Sequence, residues 1–296
     1  MTGGASARDD ARDGRRSMIS VAEALRATAA RLLHIADNPR LEARLLLSHA
    51  LGVESADLIR DPNRPVDIAA LECSVARREA REPIALILGR REFWSMEFLV
   101  SDATLIPRPD SETLVEAALA AFAERPPPRR ILDLGTGTGC LLLALLREFP
   151  GAFGIGVDIA AGAASLARRN AIRLGLADRA EFVCADWTNA LSGMFDLIVS
   201  NPPYVATPEM TRLMPEVARY EPRRALDGGS DGYDAYRSIL PNLGDALAAD
   251  GTAVLEVGVG QAATVSALAR ERGFAASTRR DLAGIARAIV LSRRIE

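Results

Sequence analysis

The sequence predicts an α/β protein, in which a mostly parallel sheet covered by helices follows a small helical domain. Short apolar strands alternate with helical segments from residue 130 onward, which is the pattern of a parallel sheet buried on both faces. Helical periodicity fills residues 19–81 instead. The length of 296 residues suits one large and one smaller domain, since domains commonly contain about 100–200 residues.

The N-terminal region divides into a polar tail and a helical domain. Residues 1–17 are small, polar and charged, and we expect a disordered tail there. Ser20 is a candidate N-cap for the first helix, and Gly52 is placed to end the second. The predicted helices run from Ser20 to about Ile35, from Leu41 to Leu51, and from Asp67 to about Arg81.

A hairpin and an extended loop are predicted to link this domain to the next. Residues 93–100 are rich in aromatic and apolar side chains, which favours strands. The two prolines of Pro107-Arg108-Pro109 favour an extended backbone. Asp110 or Ser111 is then expected to cap a helix from Thr113 to about Ala123. The predicted boundaries are a tail at 1–17, a helical domain at 18–84, a linker at 85–112 and an α/β domain at 113–296.

The α/β domain alternates strands with helices. The predicted strands are Ile131–Leu134, Gly154–Val157, Glu181–Cys184, Leu197–Ser200, Thr252–Val257 and Ala286–Leu291. The predicted helices are Leu141–Glu148, Ala160–Leu174, Tyr233–Ala248 and Ala262–Arg272.

The composition argues against several classes of protein. The net charge of −3 gives no general attraction to nucleic acid. The three cysteines form no Cys-x-x-Cys pair, which indicates free thiols in a reducing compartment. With two histidines and no Cys/His cluster, we expect no metal. Because no signal peptide or membrane-spanning segment is evident, we expect a cytoplasmic location.

A glycine-rich loop is expected to bind a cofactor. It follows a strand and opens a helix, so its backbone can approach a ligand closely. Its spacing is Gly-x-Gly-x-Gly, whereas dinucleotide sites carry Gly-x-Gly-x-x-Gly, and this disfavours a dehydrogenase. S-adenosyl-L-methionine has a carboxylate, an ammonium and a sulfonium but no phosphate, and Asp133 beside the loop suits that mixed charge. The candidate cofactor ligands in the loop are Gly135, Thr136, Gly137, Thr138 and Gly139.

Two further acidic positions fit the same cofactor. Asp158 ends the next strand, where an acid can bind both ribose hydroxyls. Asp186 follows the strand after that and can accept a hydrogen bond from the adenine amino group, while Trp187 can cover the adenine face. The alternative for this pair is a surface acid beside a core aromatic residue.

The segment Asn201-Pro202-Pro203-Tyr204 is the candidate reactive loop, because it follows a strand directly. A planar amide or aromatic amine nitrogen attacks a methyl group poorly unless its two N–H groups are held in a fixed geometry. The side-chain oxygen of Asn201 can accept one N–H group, and the carbonyl of Pro202 can accept the other. The consecutive prolines hold that carbonyl in place, and the ring of Tyr204 can stack on the planar group or face the sulfonium. The residues expected to act in catalysis are therefore Asn201, Pro202 and Tyr204, without a metal.

Taken together, these motifs resemble the HemK/PrmC family, the N5-glutamine methyltransferases of peptide chain release factors. The matching segments are 107–112, 133–139, Asp158, 186–187, 201–204, 221–223, 227–232 and 281–284. The resemblance implies a Rossmann-like class I methyltransferase domain and a helical N-terminal domain that grips the partner. It also implies that the substrate is the glutamine of the Gly-Gly-Gln loop in class 1 release factors. By position, Asn201 would serve both cofactor and substrate, and Arg108, Asn201, Pro202, Pro203 and Tyr204 would contact the substrate.

Asn-Pro-Pro-Tyr alone leaves a second enzyme class open, because adenine-N6 methyltransferases share it. An adenine-N6 or guanine-N2 nucleic-acid methyltransferase would need a basic surface or a target-recognition domain. The pairs Arg129-Arg130 and Arg223-Arg224 are modest. A non-catalytic adaptor for release factors would not need the amide clamp of Asn201 and Pro202. We expect a monomer with no membrane association and no stable nucleic-acid partner.

Overall fold

The computed structural model describes residues 18–187 and 193–294. The chain divides into two compact units, residues 1–87 and residues 88–296. The predicted disordered tail, residues 1–17, lies outside the described residues. None of the helices in the described ranges is long and apolar enough to cross a membrane.

The first unit is mainly helical. Its helices are α1 (Val21–Arg31), α2 (Pro39–Leu51), α3 (Ser55–Arg60), α4 (Ala69–Glu79) and α5 (Ile84–Leu88), and its strands are β1 (Met18–Ser20) and β2 (Pro65–Asp67). The predicted N-cap is confirmed, because Ser20 and Glu23 form a reciprocal capping box at the start of α1. The predicted end of α2 is also confirmed, since Gly52 there has a φ of 62°. Strands β1 and β2 pair antiparallel and were not expected from the sequence.

The second unit contains the predicted sheet. Its strands are β3 (Arg90–Phe93), β4 (Met96–Leu99), β5 (Arg130–Leu134), β6 (Phe153–Asp158), β7 (Ala180–Cys184), β8 (Phe195–Ser200), β9 (Leu247–Glu256), β10 (Phe274–Arg280) and β11 (Ala286–Arg293). Its helices are α6 (Glu112–Ala121), α7 (Cys140–Glu148), α8 (Ala161–Arg173), α9 (Pro215–Tyr220), α10 (Asp234–Ala246) and α11 (Ala262–Glu271). The α/β class and the mostly parallel sheet are confirmed.

The seven-stranded sheet has the order β10-β11-β9-β8-β5-β6-β7. The five strands β5 to β9 pair with one another in parallel. Strand β11 lies between β9 and β10 and is antiparallel to both. The chain proceeds outward from β5 to β7 and then returns to β8 on the other side of β5. In doubly wound sheets, ligands bind at such a reversal, beyond the carboxyl ends of the strands. The fold therefore places a binding crevice after β5 and β8.

Hairpin β3–β4 turns through two residues in the left-handed region. Trp94 has a φ of 51° and Ser95 a φ of 54°, the conformation of a type I′ turn, which glycine and asparagine favour. Two hydrogen bonds hold the tryptophan, from its backbone N–H to Glu112 (2.8 Å) and from its indole N–H to Glu148 (2.8 Å). Ser95 is exposed. Among the described contacts, its side chain forms no hydrogen bond that would offset the cost of its positive φ.

We therefore expect Ser95→Gly to stabilise the protein by about 1 kcal/mol, because glycine adopts a positive φ without steric cost. For a unit of this size, that gain raises Tm by about 2–4 °C in a thermal unfolding experiment. The matched control is Ser277→Gly, at an exposed site in edge strand β10, where glycine should lower Tm. An unchanged or lower Tm for Ser95→Gly would contradict the strain assigned to the turn.

Candidate active site

The register of the sheet brings the predicted site residues to one edge. Leu134 of β5 pairs with Ser200 of β8 and with Val157 of β6. The residues that follow these positions are therefore neighbours, which places Gly135 beside Asn201 on one side and beside Asp158 on the other. Strand β7 ends next to β6 and leads into Asp186 and Trp187.

A cavity of about 300 Å³ opens at this edge. Its lining includes four residues of the glycine loop, three residues at or beyond the ends of the neighbouring strands β6 and β7, and two residues of the reactive loop. These lining residues are Gly135, Thr136, Gly137, Thr138, Asp158, Asp186, Trp187, Asn201 and Pro203, together with Arg108, Ser111, Cys140 and Arg224. Of the predicted ligands, Gly139, Pro202 and Tyr204 do not line it.

Left-handed backbone shapes the glycine loop. Gly135, Gly137 and Gly139 have φ values of 72°, 55° and 80°, which side chains with a Cβ rarely adopt. A Cβ on Gly135 would lie 3.7 Å from the ring of Trp187 and 3.9 Å from the backbone oxygen of Asn201. The missing side chain thus leaves open the gap between that ring and the reactive loop.

Asp158 fastens this loop to the end of β6. Its Oδ2 accepts a hydrogen bond from the N–H of Gly137 (3.0 Å), and its Oδ1 accepts one from the N–H of Ala160 (2.9 Å). A carboxylate oxygen can accept a second hydrogen bond, so both oxygens retain capacity for a ligand. Asp158 can therefore shape the loop and bind a pair of hydroxyls at once.

Asp133 lies buried beneath the loop at the end of β5. Burial raises the pKa of this carboxyl to about 7, although the hydroxyl of Thr136 donates to its Oδ2 (2.6 Å) and opposes the shift. Burial likewise raises the pKa of the Cys140 thiol to about 12. Cys140 is therefore a neutral thiol in the cavity wall at physiological pH, not a nucleophile.

The reactive loop is joined to a second loop, residues 226–232. Two backbone hydrogen bonds connect the segments. The N–H of Val205 donates to the carbonyl oxygen of Leu226 (2.9 Å), and the N–H of Gly228 donates to the carbonyl oxygen of Val205 (2.8 Å). The side-chain amide of Gln261 donates to the backbone oxygen of Tyr204 (2.9 Å). The loop after β8 is thus held by backbone contacts and does not depend on its prolines alone.

Glycine is required in the second loop because the backbones approach closely. A Cβ on Gly228 would lie 2.8 Å from the carbonyl oxygen of Pro203 and 2.9 Å from the Cα of Tyr204. We expect Gly228→Ala to displace the reactive loop and lower kcat by about 10- to 100-fold, because displacements of this kind misalign reacting groups. Adenosylmethionine affinity, measured by calorimetry, should change little, since the glycine loop is not touched.

The matched control is Gly244→Ala in helix α10, where a Cβ meets nothing within 4 Å. This variant should keep full activity and gain stability, because alanine favours helix more than glycine by about 1 kcal/mol. Equal kcat values for Gly228→Ala and Gly244→Ala would contradict the close approach.

Arg108 and Arg224 supply the positive charge in the cavity lining. Arg108 forms an ion pair with Glu221, and Glu221 also accepts a hydrogen bond from the N–H of Ile106 (3.0 Å). Burial raises the pKa of Glu221, and Arg108 opposes that shift. Arg224 donates to the backbone oxygen of Ala103 (2.7 Å). A substrate contact for Arg108 was implied by the family resemblance, whereas Arg224 and Glu221 were not among the expected site residues.

Sequence reasoning also missed the role of Ser111. It was a candidate N-cap for the helix that follows, yet its side chain makes no capping hydrogen bond to α6. Its hydroxyl instead donates to Glu256 (2.6 Å) and accepts from the side-chain amide of Asn201 (3.0 Å). Ser111 thus occupies the expected N-cap position of α6, but the expected capping hydrogen bond is absent because the hydroxyl is used by a buried carboxylate.

Within residues 18–187 and 193–294, no cluster of three or more His, Cys, Asp or Glu residues is arranged to hold a metal ion. The three cysteines are free thiols.

The sequence matches known methyltransferase families over both units of the chain. Residues 23–89 match the PrmC N-terminal domain family, and residues 111–227 match the methyltransferase small domain family. A release factor glutamine methyltransferase from Bradyrhizobium diazoefficiens is 46% identical over 278 residues, which cover 91% of this chain and 94% of that protein. A second, from Rhodospirillum rubrum, is 48% identical over 262 residues, which cover 87% of this chain and 80% of that protein.

Solved structures are similar in fold. The catalytic domain of hMettl16, in complex with the MAT2A 3′UTR hairpin 1, aligns with a TM-score of 0.55 at 15% identity, over 75% of this chain and 82% of that chain. At this identity, the likeness concerns the fold alone. The relatives in sequence, which span nearly the whole chain, show more: the chain belongs to the family of release factor glutamine methyltransferases.

Proposed function

We propose that this chain transfers a methyl group from S-adenosyl-L-methionine to the side-chain amide nitrogen, N5, of the glutamine in the Gly-Gly-Gln loop of class 1 peptide chain release factors. The observation that carries the proposal is the position of Asn201, which lines the cavity immediately beside the glycine loop. Family membership supplies the activity, and the geometry supports the residue roles.

The cavity fits the cofactor. The space that a Cβ on Gly135 would fill lies between Trp187 and the backbone of Asn201, so a ligand can pass from the ring toward the reactive loop. Asp158 retains acceptor capacity for the ribose, and Asp186 and Trp187, which line the same cavity, would contact the adenine. Adenosylmethionine supplies an electrophilic methyl group on a sulfonium, and these residues would hold it with Gly135, Thr136, Gly137 and Thr138. Gly139 would act only through the backbone turn that it gives the loop.

The substrate amide would be held by Asn201 and Pro202. One N–H of the side-chain amide of Asn201 donates to the hydroxyl oxygen of Ser111 (3.0 Å), and the amide oxygen would accept one N–H group of the glutamine. The carbonyl of Pro202 would accept the other. Positive charge grows on the nitrogen as the methyl group is transferred, and these two carbonyl dipoles stabilise it without reorganisation.

Tyr204 would act at the end of this clamp. Its hydroxyl donates to the buried Glu256 (3.2 Å). Burial, reinforced by the neighbouring charge of Glu256, raises the pKa of the phenol. The neutral ring is therefore fixed in position at physiological pH. Stacking of this ring on the substrate, the role expected from the sequence, is retained as a proposal, with Pro203 in the cavity wall beside it.

A class 1 release factor is the proposed partner, because of the family to which the chain belongs and the positive charge of the cavity lining. Arg108 and Arg224 can contact the backbone carbonyls of an entering loop, and residues 18–84 would recognise the rest of the release factor, with 85–112 as the linker to 113–296. A monomer is supported because one chain supplies every residue of the proposed site. The same substrate supports a proposed site of action in the cytoplasm, where translation occurs.

A nucleic-acid substrate is the competing possibility, because Asn-Pro-Pro-Tyr also suits adenine-N6 methylation. The experiment that separates the two incubates the protein with labelled adenosylmethionine and, separately, with a class 1 release factor, ribosomal RNA and duplex DNA. We expect label in the release factor alone. Label in RNA or DNA without label in the release factor would overturn the proposal.

A further inference from the structure

A buried carboxylate lies directly behind the reactive loop. Ser200 of β8 pairs with Leu255 of β9, so the next residues, Asn201 and Glu256, are neighbours at the strand ends. The side chain of Glu256 is almost fully buried, with the residue only 1% exposed. Burying a carboxylate is costly unless hydrogen bonds compensate, and the methyl-transfer chemistry described above needs no base at this place.

The hydrogen bonds around Glu256 have only one possible direction while it is ionised. A carboxylate accepts and never donates, so the hydroxyl of Ser111 must donate its single proton to Oε2 of Glu256 (2.6 Å). The oxygen of Ser111 is then an acceptor, and the partner it finds is the side-chain N–H of Asn201 (3.0 Å). The charge on Glu256 thereby decides which way the amide of Asn201 points.

The other carboxylate oxygen holds the far end of the loop. Oε1 of Glu256 accepts a hydrogen bond from the hydroxyl of Tyr204 (3.2 Å). One buried group therefore contacts the loop at its first residue, through Ser111, and at its fourth residue directly. The hydroxyl of Tyr236 donates to the backbone oxygen of Glu256 (2.7 Å) and fixes the strand end itself.

We propose that Glu256 is a positioning residue for methyl transfer: its carboxylate sets the direction of the hydrogen-bond chain through Ser111, so that the side-chain oxygen of Asn201 faces the substrate amide. This inference rests on the proposed function, since it assigns the orientation of that same clamp. A protonated Glu256 could donate to Ser111. Ser111 would then donate to the oxygen of Asn201, and the amide would present its NH₂ group to the NH₂ group of the glutamine.

The charged neighbours of Glu256 bear on its protonation. Burial raises the pKa of Glu256 to about 7, the hydroxyl of Ser111 and the guanidinium of Arg287 oppose the shift, and Asp110 adds to it. Arg287 is itself held by ion pairs with Asp110 (2.9 Å) and Asp281 (3.3 Å). Because the ionised form is the competent one, kcat should be fully present above this pKa and should fall as the pH decreases through it.

The test compares pH profiles of the single-turnover rate constant on a release factor. The wild-type protein should lose activity as the pH falls through about 7. Glu256→Gln should lower the plateau by about 10- to 100-fold, because the amide no longer imposes one direction, and should abolish this acid limb. KM for the release factor and the affinity for adenosylmethionine should change less than about twofold, since Glu256 does not line the cavity.

Variants of Ser111 test the chain independently of Glu256. Ser111→Ala removes the relay and should lower kcat like Glu256→Gln, whereas Ser111→Thr keeps a hydroxyl and should restore most of it. Ser266→Ala, at a buried serine of α11 that does not line the cavity, is the matched control and should retain wild-type kcat. Thermal unfolding of each variant checks that the fold persists.

A readout without turnover completes the test. In the unliganded protein, one ¹³C carboxyl resonance that is missing from Glu256→Gln should titrate near the pKa given above.

Persistence of the acid limb in Glu256→Gln would overturn the inference, because the limb would then belong to another group. Asp133, whose pKa burial also raises to about 7, is one such group. Unchanged kcat in both Glu256→Gln and Ser111→Ala would overturn it as well. Absence of release factor methylation by the wild-type protein would instead overturn the proposed function.

Discussion

Replacing Asn201 with alanine should lower the single-turnover rate of release factor methylation by about 10²–10³-fold, the loss typical when one fixed dipole is removed from a transition state. Asn201 lines the cavity beside Gly135, and its side-chain N–H is already committed to Ser111. The variant thus loses the oxygen that would accept the substrate N–H. The measurement is a rapid-quench assay with enzyme in excess over the release factor and labelled adenosylmethionine in excess over both.

The matched control is Asn242→Ala, at an exposed asparagine of helix α10, which should keep wild-type activity. Calorimetry should show that Asn201→Ala still binds adenosylmethionine, since the glycine loop and Asp158 remain. Loss of one internal hydrogen bond should cost about 1 kcal/mol of stability, which leaves the fold intact. Near-normal turnover by a folded Asn201→Ala protein would contradict the clamp.

Replacing Asp158 with alanine should weaken adenosylmethionine binding by about 10- to 100-fold, the equivalent of losing hydrogen bonds to a charged group. Two effects add. The N–H groups of Gly137 and Ala160 lose their common acceptor, so the glycine loop is less ordered, and the ribose hydroxyls lose their partner. The dissociation constant from calorimetry measures the sum.

Asp158→Asn keeps the shape of the side chain but removes its charge and one of its two acceptor oxygens, so it tests which of these properties the cofactor needs. Its amide has one oxygen, whereas the two carboxylate oxygens each accept a backbone N–H, so an NH₂ group would face an N–H group. We expect this variant to bind the cofactor nearly as poorly as Asp158→Ala, and Asp178→Ala, at an exposed site, to bind normally. Full affinity in Asp158→Asn would show that shape alone suffices and would contradict the assigned role.

Much of the fold could be predicted because its central strands are apolar runs. Strands β5 and β8 are almost entirely buried, so their sequences carry an unmistakable signal. Strand β10 was missed, since only Phe274 is buried and most of its other residues are exposed, which removes the alternation that marks a strand. Strands β1 and β2 contain three residues each, too few for any period to appear.

The site could be predicted wherever a motif is continuous in sequence. Gly135 to Gly139 and Asn201 to Tyr204 each lie on one loop, and their strand contexts placed them at the same edge. The contact between Ser111 and Glu256 joins residues 145 positions apart, and nothing local in either segment marks it. Only the pairing of β8 with β9 brings Glu256 behind Asn201, so this part of the site needed the structure.

Site-resolved mass spectrometry of a class 1 release factor, after incubation with this protein and adenosylmethionine, tests the proposed activity most directly. We predict a single added methyl group on the side-chain amide of the glutamine in the Gly-Gly-Gln loop, and none on a release factor in which alanine replaces that glutamine. A methyl group on any other residue, or an unmodified glutamine after incubation with the folded, cofactor-binding protein, would contradict it.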